Sequence, residues 1–322
     1  MMKIEYTGAM DPRLCKAVLG ETIPKLAEAD PDVIYLDADL MNCIGTAKWA
    51  AAHPDRAVNC GIAEANMVGV ACGLASAGFK PIVHTFGPFA SRRCYDQLFL
   101  SGGYAKNSIT VIGTDPGVTA TMNGGTHMPF EDVALYRAIP GSTVIDATDP
   151  NMLESVLRQC VDRPGVKYIR VGRKQYATVY APGSETPIGK AVKLREGTDV
   201  VIFASGIMVH EAMQAAQALE AEGISAAVVD LFTIKPLDAE AVVSWAKKTG
   251  AVVVAENHNR NGGLYDAVTQ VLSEECPVPC RCVAVEDEFG EVGPQGYLQK
   301  RFGLTAEHII HQVHAVLARK RG

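Results

Sequence analysis

No stretch of this 322-residue chain is apolar and unbroken for long enough to cross a membrane, and no apolar segment follows a basic start. Neither a membrane span nor a secretory leader is therefore expected. An excess of one charge is lacking too. Thirty Lys and Arg stand against 36 Asp and Glu, a net charge of −6, which gives no reason to expect nucleic acid or an anionic membrane as partner. The short basic cluster Arg319-Lys320-Arg321 reads as a helix-end cap. Nine cysteines are present, but Cys276, Cys280 and Cys282 have no second group at zinc-site spacing. They are expected to be reduced, in a cytoplasmic protein with no metal site of its own. No internal repeat or low-complexity tract is evident.

Hydrophobic residues make up 48% of the chain and charged residues 20%, ordinary for a globular protein with room for two cores. Strand-like and helix-like segments alternate from the start. A helix over 11–29 precedes a strand at Val33-Ile34-Tyr35-Leu36, and a second helix covers 45–52. Ser108-Ile109-Thr110-Val111-Ile112 is a nearly continuous β-branched run, as expected of a strand buried on both faces. Around Pro182-Gly183-Ser184 and Pro187-Ile188-Gly189 the alternation lapses, then resumes with strands near 199–204, 225–231, 251–255 and 281–285. The expected fold is α/β, with two doubly wound, mainly parallel domains over 1–180 and 199–322 and a linker at 181–198.

The stretch Gly61-Ile62-Ala63-Glu64-Ala65-Asn66-Met67 opens a helix whose apolar side is Met67, Val70, Ala71 and Leu74. Glu64 then lies at a strand-to-helix junction, where a carboxylate also suits the helix dipole. In open parallel sheets ligands bind beyond the carboxyl ends of the strands. The unusual residues of the first domain fall there in succession: Asp37 and Asp39, Glu64, Phe86 and Phe89, Asp115, Asn123 and His127, and Arg173. A purely structural edge does not need that mixture of carboxylates, rings and a guanidinium. Phe86 and Phe89 could be core neighbours three apart, but Gly87-Pro88 between them predicts that a loop places both rings.

Three ordered motifs carry a resemblance: GIAEANM at 61–67, HTFGPFASRRCYDQ at 84–97 and GGTHMPFEDVALYRAIPG at 124–141. Together they resemble the pyrimidine-binding half of transketolase, and the likeness continues through that family's carboxyl-terminal domain. The resemblance implies thiamine diphosphate as cofactor. It makes Glu64 the carboxyl that meets the pyrimidine nitrogen and promotes the imino tautomer; a buried carboxyl suits a group that shares a proton there. It makes Phe86 and Phe89 the rings that stack on the pyrimidine, with Ile62 and Asp39 nearby. His127 becomes the group that meets the ketose near the bond being cut, and Arg173 the sugar-phosphate arginine. Arg170, within the strand, is expected to be structural.

The substrate side departs from the family. Asn123 stands where an Asp is usual, Asp115 where a His is usual, and His84 where a small residue is common; Arg92 replaces an aromatic of some members. These four complete the candidate substrate contacts, and an acid at 115 should disfavour a phosphate there. No Gly-Asp-Gly occurs in the chain, so the family's diphosphate and its magnesium or calcium would be held by another polypeptide. The resemblance therefore implies the second subunit of a split transketolase, two copies of each chain, transferring a two-carbon ketol unit from a ketose to an aldose, with a phosphorylated or otherwise anionic ketose as one candidate donor. The rivals are the beta subunit of a 2-oxoacid dehydrogenase component and a non-catalytic assembly subunit.

Overall fold

Short aliphatic and β-branched runs separated by helices build two mainly parallel sheets. The computed structural model describes residues 3–320, so Arg321 of the basic cluster lies outside the described residues. Neighbouring residues of one strand serve different apolar clusters: in the strand at Ile109–Thr114, Ile112 joins one and Val111 the other. The strands are thus buried on both faces, as the β-branched run requires. Among the described residues no helix is long and apolar enough to cross a membrane.

The first sheet contains β1 (Val33–Asp37), β2 (Ala57–Asn59), β3 (Lys80–Phe86), β4 (Ile109–Thr114), β5 (Thr143–Asp146) and β6 (Val166–Val171). The second contains β7 (Val192–Arg195), β8 (Val200–Ala204), β9 (Ala226–Asp230), β11 (Val252–Asn259) and β12 (Cys280–Val285), while β10 (Thr233–Lys235) returns to the first. The orders are β10-β5-β6-β4-β3-β1-β2 and β12-β11-β8-β9-β7. The chain leaves β1 toward β2 and then crosses back to β3 on the other flank of β1. That reversal makes the carboxyl ends of β1 and β3 the topological switch point, where open α/β sheets bind ligands. Register aligns the neighbouring ends, since Phe86 pairs with Thr114 and Thr114 with Val171.

Several elements differ from the sequence reading. The segment 181–198 holds β7, which pairs antiparallel with β9; only one of its four residues is fully buried, so no apolar run marks it. β10 pairs antiparallel with β5, so a strand from the second half closes one edge of the first sheet. The helix Gln295–Arg301 is too short to show a period. The helix expected over 45–52 begins only at Ala47 and ends at Ala52; a separate turn, Met41–Ile44, precedes it and stops where Gly45 takes a left-handed φ of 79°. Phe86 and Phe89 are not both set by a loop: Phe86 ends β3, and Gly87–Ala90 is one helical turn. Proline fits there because the first turn leaves its N–H position unused. Val70 faces outward, in an exposed stripe with Asn66, Gly69 and Gly73.

The second half docks by a backbone carbonyl on a buried ionic cluster of the first half. Arg170 Nε and Nη2 bond the Asp132 carboxylate at 2.9 and 3.2 Å, Nη1 reaches Asp146 Oδ2 at 3.1 Å, and Nη2 reaches the Asn257 carbonyl at 3.0 Å. Arg170 is structural, as its place inside β6 suggests. Asn257, from β11, also braces the turn after β4: its Oδ1 accepts from Val118 N at 3.0 Å and its Nδ2 donates to the Pro116 carbonyl at 3.0 Å. A Cβ on Gly117, whose φ is 52°, would lie 2.1 Å from Asn257 Oδ1, so only glycine fits.

Candidate functional site

Glu64 is the first residue of the helix Glu64–Ser76 and is only 3% exposed. Both its oxygens accept from Nη1 of Arg93, at 2.8 and 2.9 Å. The Arg93 guanidinium carbon lies 3.7 Å from the centroid of the Phe89 ring, a cation–π contact. Phe89 meets Phe86 at 6.3 Å between centroids and His127 edge-on at 5.1 Å; Phe86 meets His127 at 6.0 Å. One continuous surface thus runs from a buried carboxylate across a guanidinium to three clustered rings.

On the far flank of Phe86 lies a second guanidinium, with Arg173 Cζ 4.7 Å from the ring centroid. Adjacent β4 and β6 bring Arg173 beside Asp115, whose own N–H donates to the Val171 carbonyl at 3.0 Å. Asp115 Oδ2 accepts from Arg173 Nε at 2.8 Å and lies 2.6 Å from Nη2, while Oδ1 accepts from the Arg173 backbone N–H at 3.0 Å. Burial opposes the Arg173 charge, but Asp115, and more weakly Cys43, hold its pKa above the usual guanidinium value. Asp115 is buried with φ at 58°, a left-handed conformation uncommon for a residue with a Cβ.

The remaining candidates divide. Arg92 donates to Glu131 Oε1 at 2.8 Å and to the Thr126 carbonyl at 3.0 Å, so it ties the His127 loop to the next helix. Burial raises the Glu131 pKa, Asp132 adds to this, and Arg92 opposes it. His127 Nδ1 lies 2.9 Å from Thr126 Oγ1. Asn123 is exposed at the end of the turn Gly117–Asn123. Asp39 is exposed at φ 64° and its Oδ1 accepts from Asn59 Nδ2 at 3.1 Å. Ile62 stands 77% exposed just before Glu64.

His84 is the exception and requires correction as a substrate contact. It is fully buried inside β3, with Nδ1 2.7 Å from Asp37 Oδ2 and Nε2 3.1 Å from Thr114 Oγ1. Asp37 Oδ2 also accepts from the Tyr35 hydroxyl at 2.5 Å. His84 therefore belongs to a polar network beneath the site, with both ring nitrogens engaged.

Sequence reasoning missed Arg93. It stands in a second short turn, Arg92–Cys94, separated by Ser91 from the helical turn Gly87–Ala90 that holds Phe89, so no helical period joins the two. Sequence reasoning also placed Asp115 and Arg173 separately on the substrate side, without seeing that adjacent strands pair them.

These residues fit a planar heteroaromatic ring. Half-buried Phe86 and Phe89 offer apolar faces, and Glu64 offers a carboxyl shielded from water. They do not fit a bare metal ion: among the described residues no group of three or more His, Cys, Asp or Glu could hold one.

Comparison with known proteins accords with that chemistry. Residues 13–178 match the family described as transketolase, pyrimidine binding domain, and residues 189–309 match transketolase, C-terminal domain. The chain is 48% identical to a 6-deoxy-6-sulfo-D-fructose transketolase subunit, SqwH, of Clostridium sp. (strain MSTE9), over 91% of each chain. It is 34% identical to one of the subunits of an apulose-4-phosphate transketolase of Phocaeicola vulgatus, over 92% of this chain and 95% of that one. A solved structure described as a split gene transketolase, inactive beta4 tetramer, superposes with a TM-score of 0.89 at 38% identity, covering 95% of this chain and 99% of the other.

Proposed function

The chain belongs to the transketolase family, as a ketol-transferring subunit that acts with a partner, and from that premise we propose how its residues serve thiamine diphosphate. The cofactor supplies the carbon–carbon bond chemistry when bound. Glu64 holds a proton at the pyrimidine ring nitrogen, and Phe86 and Phe89 orient the ring and exclude water from it. Ile62 and Asp39 border the same ring. His127, packed edge-on against both phenylalanines, faces the ketose near the bond being cut. Arg173 and Asp115 take the far end of the sugar, with Asn123 and Arg92 toward its hydroxyls. The observation that carries this reading is the unbroken path from buried Glu64 through Arg93 to the Phe89, Phe86 and His127 rings.

The partner, by this reading, is an amino-terminal subunit that grips the diphosphate together with magnesium or calcium, since this chain presents no oxygen cluster for a metal among its described residues. Two copies of each chain assemble. The exposed stripe of Asn66, Gly69, Val70 and Gly73, with Leu100 and Tyr104 of the packed segment Leu98–Tyr104, supports a chain-to-chain contact. The relative described as an inactive beta4 tetramer supports dependence on a second kind of chain. The donor ketose is anionic, with 6-deoxy-6-sulfo-D-fructose the first candidate because of the relative 48% identical to this chain. The test is reconstitution. This chain alone should transfer no ketol group, and mixing it with its partner, thiamine diphosphate and magnesium should restore transfer; full activity from the isolated chain would refute the reading.

A further inference from the structure

We infer that Asp115 determines substrate specificity by setting the charge that Arg173 presents, so that the site takes a sugar ending in a singly charged anion, a sulfonate, and turns away a phosphate dianion. This rests on the reading above, in which Arg173 faces the far end of the ketose.

The geometry is fixed. Asp115 engages Arg173 three ways, through the backbone N–H, Nε and Nη2. It cannot swing aside easily. Its backbone sits at φ 58°, and the turn that follows is held by Asn257 from the other half of the molecule. Arg173 keeps 25% of its side chain exposed, and its ring-facing side rests on Phe86. The next residue, Lys174, is exposed and reaches Thr121 Oγ1 at 3.3 Å. One acid and two bases leave this cluster of Asp115, Arg173 and Lys174 with a single positive charge; without Asp115 it would carry two.

The neighbouring arginines do not alter that sum. Arg92 is paired with Glu131 and Arg93 with Glu64. A sulfonate carries one negative charge and three acceptor oxygens, which a half-engaged guanidinium can still meet. A phosphate monoester carries nearly two charges at neutral pH. The cost of removing an ion from water rises with the square of its charge, whereas attraction to a fixed partner rises only in proportion. A site with one net positive charge therefore compensates the monoanion and leaves the dianion short.

The experiment uses the reconstituted two-chain enzyme and compares kcat/KM for 6-deoxy-6-sulfofructose, fructose 6-phosphate and fructose. The wild-type complex should prefer the sulfonate to the phosphate, and Asp115→Asn should move that ratio about tenfold toward the phosphate, mainly through KM. A ratio unchanged within about twofold in an Asp115→Asn complex that still transfers ketol groups would overturn the inference, as would a wild-type preference for the phosphate.

A second arm needs no variant. Phosphate loses its second charge below about pH 6, so in the wild type the discrimination against fructose 6-phosphate should shrink between pH 7.5 and 5.5. Arg173, Asp115, Lys174, Cys43 and His127 are the titratable and charged groups around this end of the site. A change in their charge would weigh more on the dianion, and the sulfonate-to-fructose ratio over the same pH range, in which neither substrate titrates, reads it separately. A pH-independent sulfonate-to-phosphate ratio would overturn the inference. Absence of transfer from all three ketoses would overturn the ketol-transfer reading itself, and this inference with it.

Discussion

One nitrogen of Arg93 bonds both carboxylate oxygens of Glu64, at 2.8 and 2.9 Å, while the guanidinium carbon lies 3.7 Å from the Phe89 ring centroid. A carboxyl that is 3% exposed thus has its charge met by a side chain that is 44% exposed. The pair joins a buried acid to the aromatic shelf that it serves.

Arg93 should therefore act by positioning rather than by touching the reacting atoms. Arg93→Ala should weaken thiamine diphosphate binding by the reconstituted complex about tenfold, because a buried acid loses its partner and the ring its cover. Arg93→Lys should recover only part, since an ammonium keeps the charge but not the planar guanidinium. Calorimetric titration with the cofactor reads this directly, and equal binding by wild type and Arg93→Ala would dismiss the role.

The buried ionic cluster of the first half makes a stability prediction. Arg170 is fully buried with Asp132 and Asp146. Arg170→Ala leaves two buried carboxylates without their cation, and should cost about 3–5 kcal/mol. A urea unfolding midpoint shift checks it, and a change below about 1 kcal/mol would show that water replaces the guanidinium.

Asp230 should give the chain a pH-dependent stability. Its Oδ2 accepts from Thr148 Oγ1 at 2.6 Å and from the Tyr180 hydroxyl at 2.8 Å, but its Oδ1 has no partner. Burial pushes its pKa up to about 7. A carboxyl whose pKa is raised on folding contributes stability that is complete below the unfolded value, about 3.9, and is lost as pH climbs through the folded value. Glu256, raised by burial to about 7, acts in the same direction. Melting temperature should fall as pH rises from 4 to 8, and Asp230→Asn should flatten that decline. An unchanged slope in the variant would show that Asp230 does not titrate in this range.

Metal removal should separate the two chains. A chelator should abolish ketol transfer by the mixed subunits and leave the melting temperature of this chain alone unchanged, because its described residues offer no metal cluster. A drop in the isolated chain's melting temperature would place a metal here.

The alternation of β-branched runs with amphipathic segments made both mainly parallel sheets legible, and the order of motifs marked the carboxyl edge as the candidate site. Glu64, Phe86, Phe89, His127 and Arg173 all stand at that edge. What could not be read was pairing across distance. His84 stands among the candidate substrate contacts in the sequence, but the alternation of β3 turns it inward to Asp37 and Thr114. Asp115 and Arg173 are 58 residues apart, and only the β4–β6 register makes them neighbours. β7 and β10 escaped notice because edge strands of three or four residues need no apolar run of their own.

The most direct test is the rate of ketol transfer by the two-chain complex carrying Glu64→Ala, at saturating thiamine diphosphate and with folding verified by circular dichroism. A fall of about 100-fold or more is predicted, the scale of losing a positioned proton partner. Transfer surviving within a few fold would contradict the account, because the buried acid would then have no part in the chemistry.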